Sequence, residues 1–263
     1  MTGSPATRVP IVRPARATIA RGVVDLHAQP ERESELVDQV LFGEMVTLLG
    51  EHDGWAYVQG EDQYLGWIEQ DGVRPSTPPG SERIVVVHAA VVRAAADPDG
   101  AAIDALAPGT SVIAGVVGDA DAVWIRCGGG WIAASDTVQA HELPRRPPGA
   151  ADLLATAETF LGTPYLWGGL TVRGIDCSGL TQQVYRLNGV ALPRDADQQA
   201  LAGRSVQAAL AGDLFFFGDP RVTHTAIATG PRTFLHAPRN GGSVERGELD
   251  ADRRLLAIRR YLP

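Results

Sequence analysis

Apolar and polar positions alternate in short runs through the first half of the chain. Runs such as MVTLLGE, WAYVQ and AVWIRC are rich in β-branched and aromatic residues and are cut by Gly and Asp turns. This pattern predicts strands in small all-β units. DGWAYVQ followed by YLGWI (Trp55 and Trp67) is echoed by AVWIRC followed by GGWIAA (Trp124 and Trp131). Each pair follows an apolar run, MVTLLGE or SVIAGVV, which reads as an internal duplication. The pattern changes after residue 150. ADLLATAETFL (151–161) has apolar residues at helical spacing, with Gly162 as a stop. Residues 177–188 put Leu180, Val184 and Leu187 on one helical face, ended by Asn188-Gly189. Strand-like runs DLFFFG, HTAIATG, TFLHA and LLAIRRYL follow. Helices clustered ahead of strands predict an α+β unit rather than alternating α/β. Pro-rich stretches at 72–83 and 141–150 read as linkers. The chain therefore divides into about 17–73, 82–140 and 150–263.

Charge sharpens this division. Residues 1–150 hold 11 Arg against 20 Asp and Glu, and residues 151–263 hold 12 against 11. An acidic N-terminal half argues against nucleic acid, anionic membranes and anionic wall polymers as partners, and suits a ligand with a free amine. Solubility alone is the simpler account of the same charge. No stretch approaches the ~18 apolar residues of a membrane span. The first twenty residues lack an apolar core, so no secretory signal is expected. All 23 basic residues are Arg, which reads as genome composition.

Two cysteines, Cys127 and Cys177, make no disulfide framework, and a reducing compartment is the simpler expectation. Cys127 alternates with Trp124 in a strand-like run and reads as core. Cys177 falls where a Gly-containing stretch (Gly168, Gly169, Gly174) meets a predicted helix. The positive end of the helix dipole there favours thiolate over a thiol of ordinary pKa about 8.5. His224 and His236 follow on strand-like runs, where one imidazole can pair with the thiol and the other can hold its tautomer. His27, His52, His88 and His141 are scattered without metal-ligand spacing, and neither metal nor cofactor is expected. The Gly128–Gly130 run reads as a hairpin turn, because no Lys or helix start follows it.

The ordered blocks LGTPYLWGGLTVRGIDCSGLTQQVY, LPRDADQQ, AGDLFFFG, VTHTAIATG and FLHAPR resemble the NlpC family of cysteine peptidases, which hydrolyse peptide bonds in bacterial cell-wall peptides. DGWAYVQGEDQYLGWI is similar to bacterial SH3-like domains, and the second unit fits that pattern more loosely. The resemblance implies a papain-like α+β domain behind two small SH3-like barrels of about five or six strands each. It makes Cys177 the nucleophile, His224 the general base and acid, and His236 the orienting third member. It also assigns the Tyr165 hydroxyl to assist the backbone N–H of Cys177 at the oxyanion.

Two SH3-like units ahead of such a domain resemble a narrower subgroup. Its members cleave γ-D-glutamyl–diamino acid bonds in muropeptides with a free N-terminal L-Ala. By that resemblance Asp176, Tyr64 and Glu44 hold the ammonium, while Ser178 and Arg194, in the Arg194-Asp195-Ala196 stretch, bind the D-Glu α-carboxylate. Ala196 stands where the subgroup usually has Ser. The implied role is recycling of wall peptides in a bacterial cytoplasm. The rivals are a secreted hydrolase of intact wall, a binding protein with an inactive site, and acyl transfer by the same thiol.

Overall fold

The computed structural model describes residues 11–75, 81–114, 124–127, 129–142, 147–239, 241–250 and 253–263. Parts of both Pro-rich stretches, Gly128 and the end of the SVIAGVV run lie outside the described residues.

The first unit is one antiparallel sheet of seven strands running from Ile11–Ile19 to Val73–Pro75. Its first strand starts ahead of residue 17, and the sheet has more strands than the five or six expected. Alternation along the strands sends Ile19, Val24, Leu26, Val46, Ala56, Val58 and Ile68 into one core. The hairpin between Val23–His27 and Leu36–Leu41 carries three glutamates, Glu31, Glu33 and Glu35. The second unit folds as a four-stranded and a three-stranded sheet around Val85, Val92, Leu106, Val112 and Ile132. Cys127 is buried in that core, and burial pushes its thiol up to about 11. Strands Trp124–Cys127 and Gly130–Ala133 pair antiparallel with Cys127 opposite Gly130. The two small units meet backbone to backbone. A Cβ on Gly43, whose φ is +81°, would stand 2.0 Å from the Ser111 carbonyl oxygen.

The third unit is α+β. Helices α1 (Ala150–Glu158), α2 (Cys177–Leu187) and α3 (Ala196–Leu201) accompany a six-stranded antiparallel sheet. At the centre of the sheet, Leu214–Gly218 lies between Leu255–Arg260 and Val222–Ala228, and Thr233–His236 comes next. Leu180 and Val184 of α2 share one core with Phe160, Leu214, Phe216, Ile227 and Leu235. Helix α2 therefore lies on the sheet with its first turn beside the strand that bears His224. The helix starts where it does because the Asp176 carboxylate caps it, accepting from Gly179 N at 2.6 Å. It ends at Asn188, ahead of Gly189 at φ +75°.

The first barrel is seated against this domain. Gly168, at φ +72°, allows the seating, since a Cβ there would come within 2.6 Å of the Leu36 carbonyl oxygen. Leu170 N donates to Gln39 Oε1 at 3.0 Å across the same contact.

Candidate active site

The nucleophile candidate is Cys177, the first residue of α2 and 6% exposed. The bias toward thiolate expected from the helix N-terminus is outweighed. Burial, helped by the Asp176 charge, pushes the thiol up to about 11, while N–H groups of Thr225 and Ser178 pull the other way. His224 and His236 lie close together on adjacent strands, with His224 Nε2 and His236 Nδ1 2.8 Å apart. That contact leaves His224 Nδ1 as the ring atom able to take a proton from a thiol. His236 Nε2 lies 3.7 Å from Glu245 Oε1 on the neighbouring strand. Burial lowers His224 to about 3, with the charges of His236, Arg253 and Arg239 adding to it, and His236 falls to about 4 through burial and Arg253. Burial thus works against charge on the thiol and on both imidazoles. Tyr165 Oη is buried without a hydrogen-bond partner. Burial raises its pKa, the nearby Arg239 guanidinium draws it down, and the charges of Cys177 and Asp176 raise it further. A buried hydroxyl left unpaired beside a nucleophile is poised for something that binds there.

A cleft of about 290 Å³ opens over Cys177, between the first barrel and the catalytic domain. The barrel contributes Glu35, Val37 and Tyr64, and the catalytic domain contributes Trp167, Asp176, Ser178 and Asp195 among others. Trp167 Nε1 donates to Glu35 Oε1 at 2.9 Å, which fixes the carboxylate and leaves its second oxygen uncommitted to that bond. Tyr64 Oη donates to Asp195 Oδ1 at 3.3 Å, so its own lone pairs can accept. Glu35, Asp176, Asp195 and Asp197 face a single cation, Arg239, in this lining. No residue of 82–140 lines it among the described residues.

The structure brings Cys177, Tyr64, Asp176, Ser178 and Asp195 into one cleft and corrects two other assignments. Glu44 is not in it. Its carboxylate accepts from Leu41 N at 3.0 Å and pairs with Arg186 in a separate interdomain cavity of about 460 Å³. The acidic residue that reaches the cleft from the barrel is Glu35, on the hairpin ahead of Leu36–Leu41. Arg194 is not available to a substrate carboxylate, being 1% exposed. Its guanidinium pairs with Asp38 of the barrel, binds both Asp176 oxygens at 3.1 and 2.8 Å, and donates to Ser178 Oγ at 3.0 Å. One cation thus serves two buried carboxylates, and burial pushes Asp38 up to about 7. Asp176 also accepts from Gly168 N and Gly179 N, so it offers the cleft its charge more than a vacant lone pair. Both cysteines are free. No group of three or more His, Cys, Asp and Glu is placed to hold a metal among the described residues.

Residues 162–257 match the NlpC/P60 family, and residues 26–73 match the bacterial dipeptidyl-peptidase SH3 domain. A gamma-D-glutamyl-L-lysine dipeptidyl-peptidase of Bacillus subtilis is 40% identical over 120 residues, 42% of this chain and 40% of that protein. Its Bacillus cereus counterpart is 38% identical over 125 residues, 44% of this chain and 38% of its own length. These alignments therefore span well under half of either relative. Dipeptidyl-peptidase 6 of Lysinibacillus sphaericus is 27% identical over 89% of this chain and 92% of that protein. The crystal structure of an NlpC/P60 family protein from Bacillus cereus shares the fold, with a TM-score of 0.83 over 95% of this chain and 100% of that one, at 22% identity. Residues 162–257 are therefore an NlpC/P60 cysteine peptidase domain of papain-like α+β fold, carried behind a bacterial dipeptidyl-peptidase SH3 domain at residues 26–73.

Proposed function

We propose that this protein hydrolyses the γ-D-glutamyl–diamino acid bond of wall-derived peptides whose N-terminal L-Ala amine is free. The observation that carries this reading is the acidic end of the cleft, where Glu35 and Tyr64 of the first barrel meet Asp176 and Asp195 around the approach to Cys177. An ammonium leaving water needs carboxylate and hydroxyl partners, and these groups supply them. The names of the Bacillus relatives, gamma-D-glutamyl-L-lysine dipeptidyl-peptidase, are in line with this substrate. Recycling of released wall peptides in the cytoplasm is the role that suits an enzyme reading a free amine.

The chemistry runs through Cys177 and the two histidines. As Cys177 Sγ attacks the γ-carbonyl of D-Glu, its proton passes to His224 Nδ1, while His236 holds the other ring nitrogen. The oxyanion is met by the Cys177 backbone N–H and the unpaired Tyr165 hydroxyl. Collapse breaks the C–N bond, and His224 returns the proton to the leaving amine. Water then attacks the thioester, gives a proton to His224, and releases L-Ala-γ-D-Glu and the thiol.

The pH dependence tests this reading. The substrate amine titrates at about 8, and only its protonated form satisfies the acidic end. With L-Ala-γ-D-Glu-L-Lys as substrate, kcat/KM should fall above that pH while kcat holds, with L-Ala-γ-D-Glu and lysine as the products by mass spectrometry. Cleavage at another bond, or a kcat/KM flat to pH 9.5, contradicts the proposal.

A further inference from the structure

Next to the cleft lies a second cavity of about 450 Å³, lined by His224, His236, Thr223, Arg239, Arg253 and Arg254. Thr223 and Arg239 border both cavities, so the histidine-lined cavity adjoins the one that holds Cys177. Their charges are opposite. The first is lined by four carboxylates against Arg239, the second by three guanidiniums against Asp219. Arg254 is occupied with Asp219, at 2.7 Å. Arg239 lies 4.2 Å over the Trp167 ring and Arg253 5.9 Å over the Phe234 ring. Neither guanidinium has a carboxylate partner among the described residues. Stacking on aromatic faces holds both in place with donors left over for a ligand. Both lower the pKa of His224, and Arg253 also lowers that of His236. Their positive field therefore reaches the imidazoles, and an anion in this cavity relieves it.

The general acid must stand beside the amine it protonates, so the cavity on the His224 side receives the leaving diamino acid. On the proposed substrate reading, we infer that Arg239 and Arg253 form a subsite for a free carboxylate of that leaving residue. The enzyme then reads its substrate at both ends, the ammonium against Glu35 and Tyr64 and the carboxylate against the two arginines. Where that carboxylate is the α-carboxylate, the enzyme thereby measures peptide length. A stem peptide extended beyond the diamino acid loses the α-carboxylate and presents a neutral amide to the arginines.

The test compares kcat/KM for L-Ala-γ-D-Glu-L-Lys as free acid, its α-amide, and the corresponding α-amide of diaminopimelate, which keeps only the side-chain carboxylate. The expected result is a preference of about tenfold or more for a carboxylate-bearing peptide over the lysine amide. Lysine acid exceeding lysine amide assigns the α-carboxylate, and diaminopimelate amide exceeding lysine amide assigns the side-chain carboxylate. In Arg239→Gln/Arg253→Gln the ratio should fall to near one. Equal rates for all three peptides overturn the subsite while leaving the substrate reading intact. So does a double variant that keeps the wild-type ratio. Cleavage of none of them overturns the substrate reading. The subsite is then judged by alkylation of Cys177 with anionic iodoacetate against neutral iodoacetamide. An iodoacetate advantage that disappears in the double variant upholds it, and no such advantage removes it.

Discussion

Replacing Cys177 by alanine should lower peptide hydrolysis by about 10³-fold or more, with the fold intact. The site has no substitute nucleophile. The other cysteine, Cys127, is as buried as Cys177 and its thiol is raised as far, but it packs in the core of the second unit and lines no part of the cleft. His224 and His236 can at most activate a water, and neither replaces the thiol that forms the thioester. The side chain occupies little volume at the start of α2, and the cap on that helix comes from Asp176. Circular dichroism and thermal melting of the variant should therefore match the wild type within about 1 kcal/mol. A thiol-directed reagent should label wild-type protein once, at Cys177, in step with loss of activity. Substantial turnover by the alanine variant, or labelling at Cys127 in step with inactivation, contradicts the assignment.

Arg194→Met should be strongly destabilising. The guanidinium is 1% exposed and is shared by Asp38 of the barrel and Asp176 of the catalytic domain. Removing it leaves two buried carboxylates without their cation, a change that costs about 3–5 kcal/mol. Its sign with pH is fixed. A carboxyl buried without a partner has its folded pKa raised above the unfolded value. The native state then binds more protons than the unfolded state between the two values, and stability falls as pH rises through that window. Asp38, already at about 7 with Arg194 present, shows the direction. The urea-unfolding deficit of the variant should therefore be larger at pH 8 than at pH 5. If the full variant does not fold, Asp38→Asn isolates the barrel-side half of the contact. It should weaken the seating of the barrel while Arg194 keeps Asp176 and Ser178. A deficit under about 1 kcal/mol in Arg194→Met, independent of pH, would show that the buried triad contributes little.

The parts of the molecule legible in the sequence are those whose signals are local. The start of α2 at Cys177, its apolar face and its stop at Asn188-Gly189 are set within a dozen residues, and the structure shows each. The runs DLFFFG, HTAIATG and TFLHA read as strands because they are continuous β-prone apolar stretches, and the sheet they form is buried on both faces, Phe216, Ile227 and Leu235 on one and Phe215, Ala226 and Phe234 on the other. Contacts made between units leave no such local trace. Glu44 and Glu35 are both barrel carboxylates, and nothing in the periodicity says which one meets the cleft. The answer lies in the seating of the Leu36 backbone against Gly168, which brings Glu35 to Trp167 and leaves Glu44 with Arg186. The three glutamates on one hairpin, at 31, 33 and 35, are the signal that points there, since hairpin tips reach neighbouring domains. Arg194 looks like a ligand-binding cation in the sequence for the same reason. Its two carboxylate partners are 156 and 18 residues away along the chain. Helix α3 has six residues and too little periodicity to announce itself.

The central claim is that the first barrel turns a thiol peptidase into one that reads a free amine. The most direct measurement is the ratio of kcat/KM for L-Ala-γ-D-Glu-L-Lys to that for the same peptide acetylated on its L-Ala nitrogen, in wild type and in Glu35→Gln. A site whose carboxylates are left unpaired by the wrong ligand discriminates by ~10²-fold or more. The account predicts a ratio of that size in wild type, cut at least about tenfold in Glu35→Gln through the free peptide alone. A ratio near one in the wild-type enzyme contradicts it and makes the barrel a bystander to specificity.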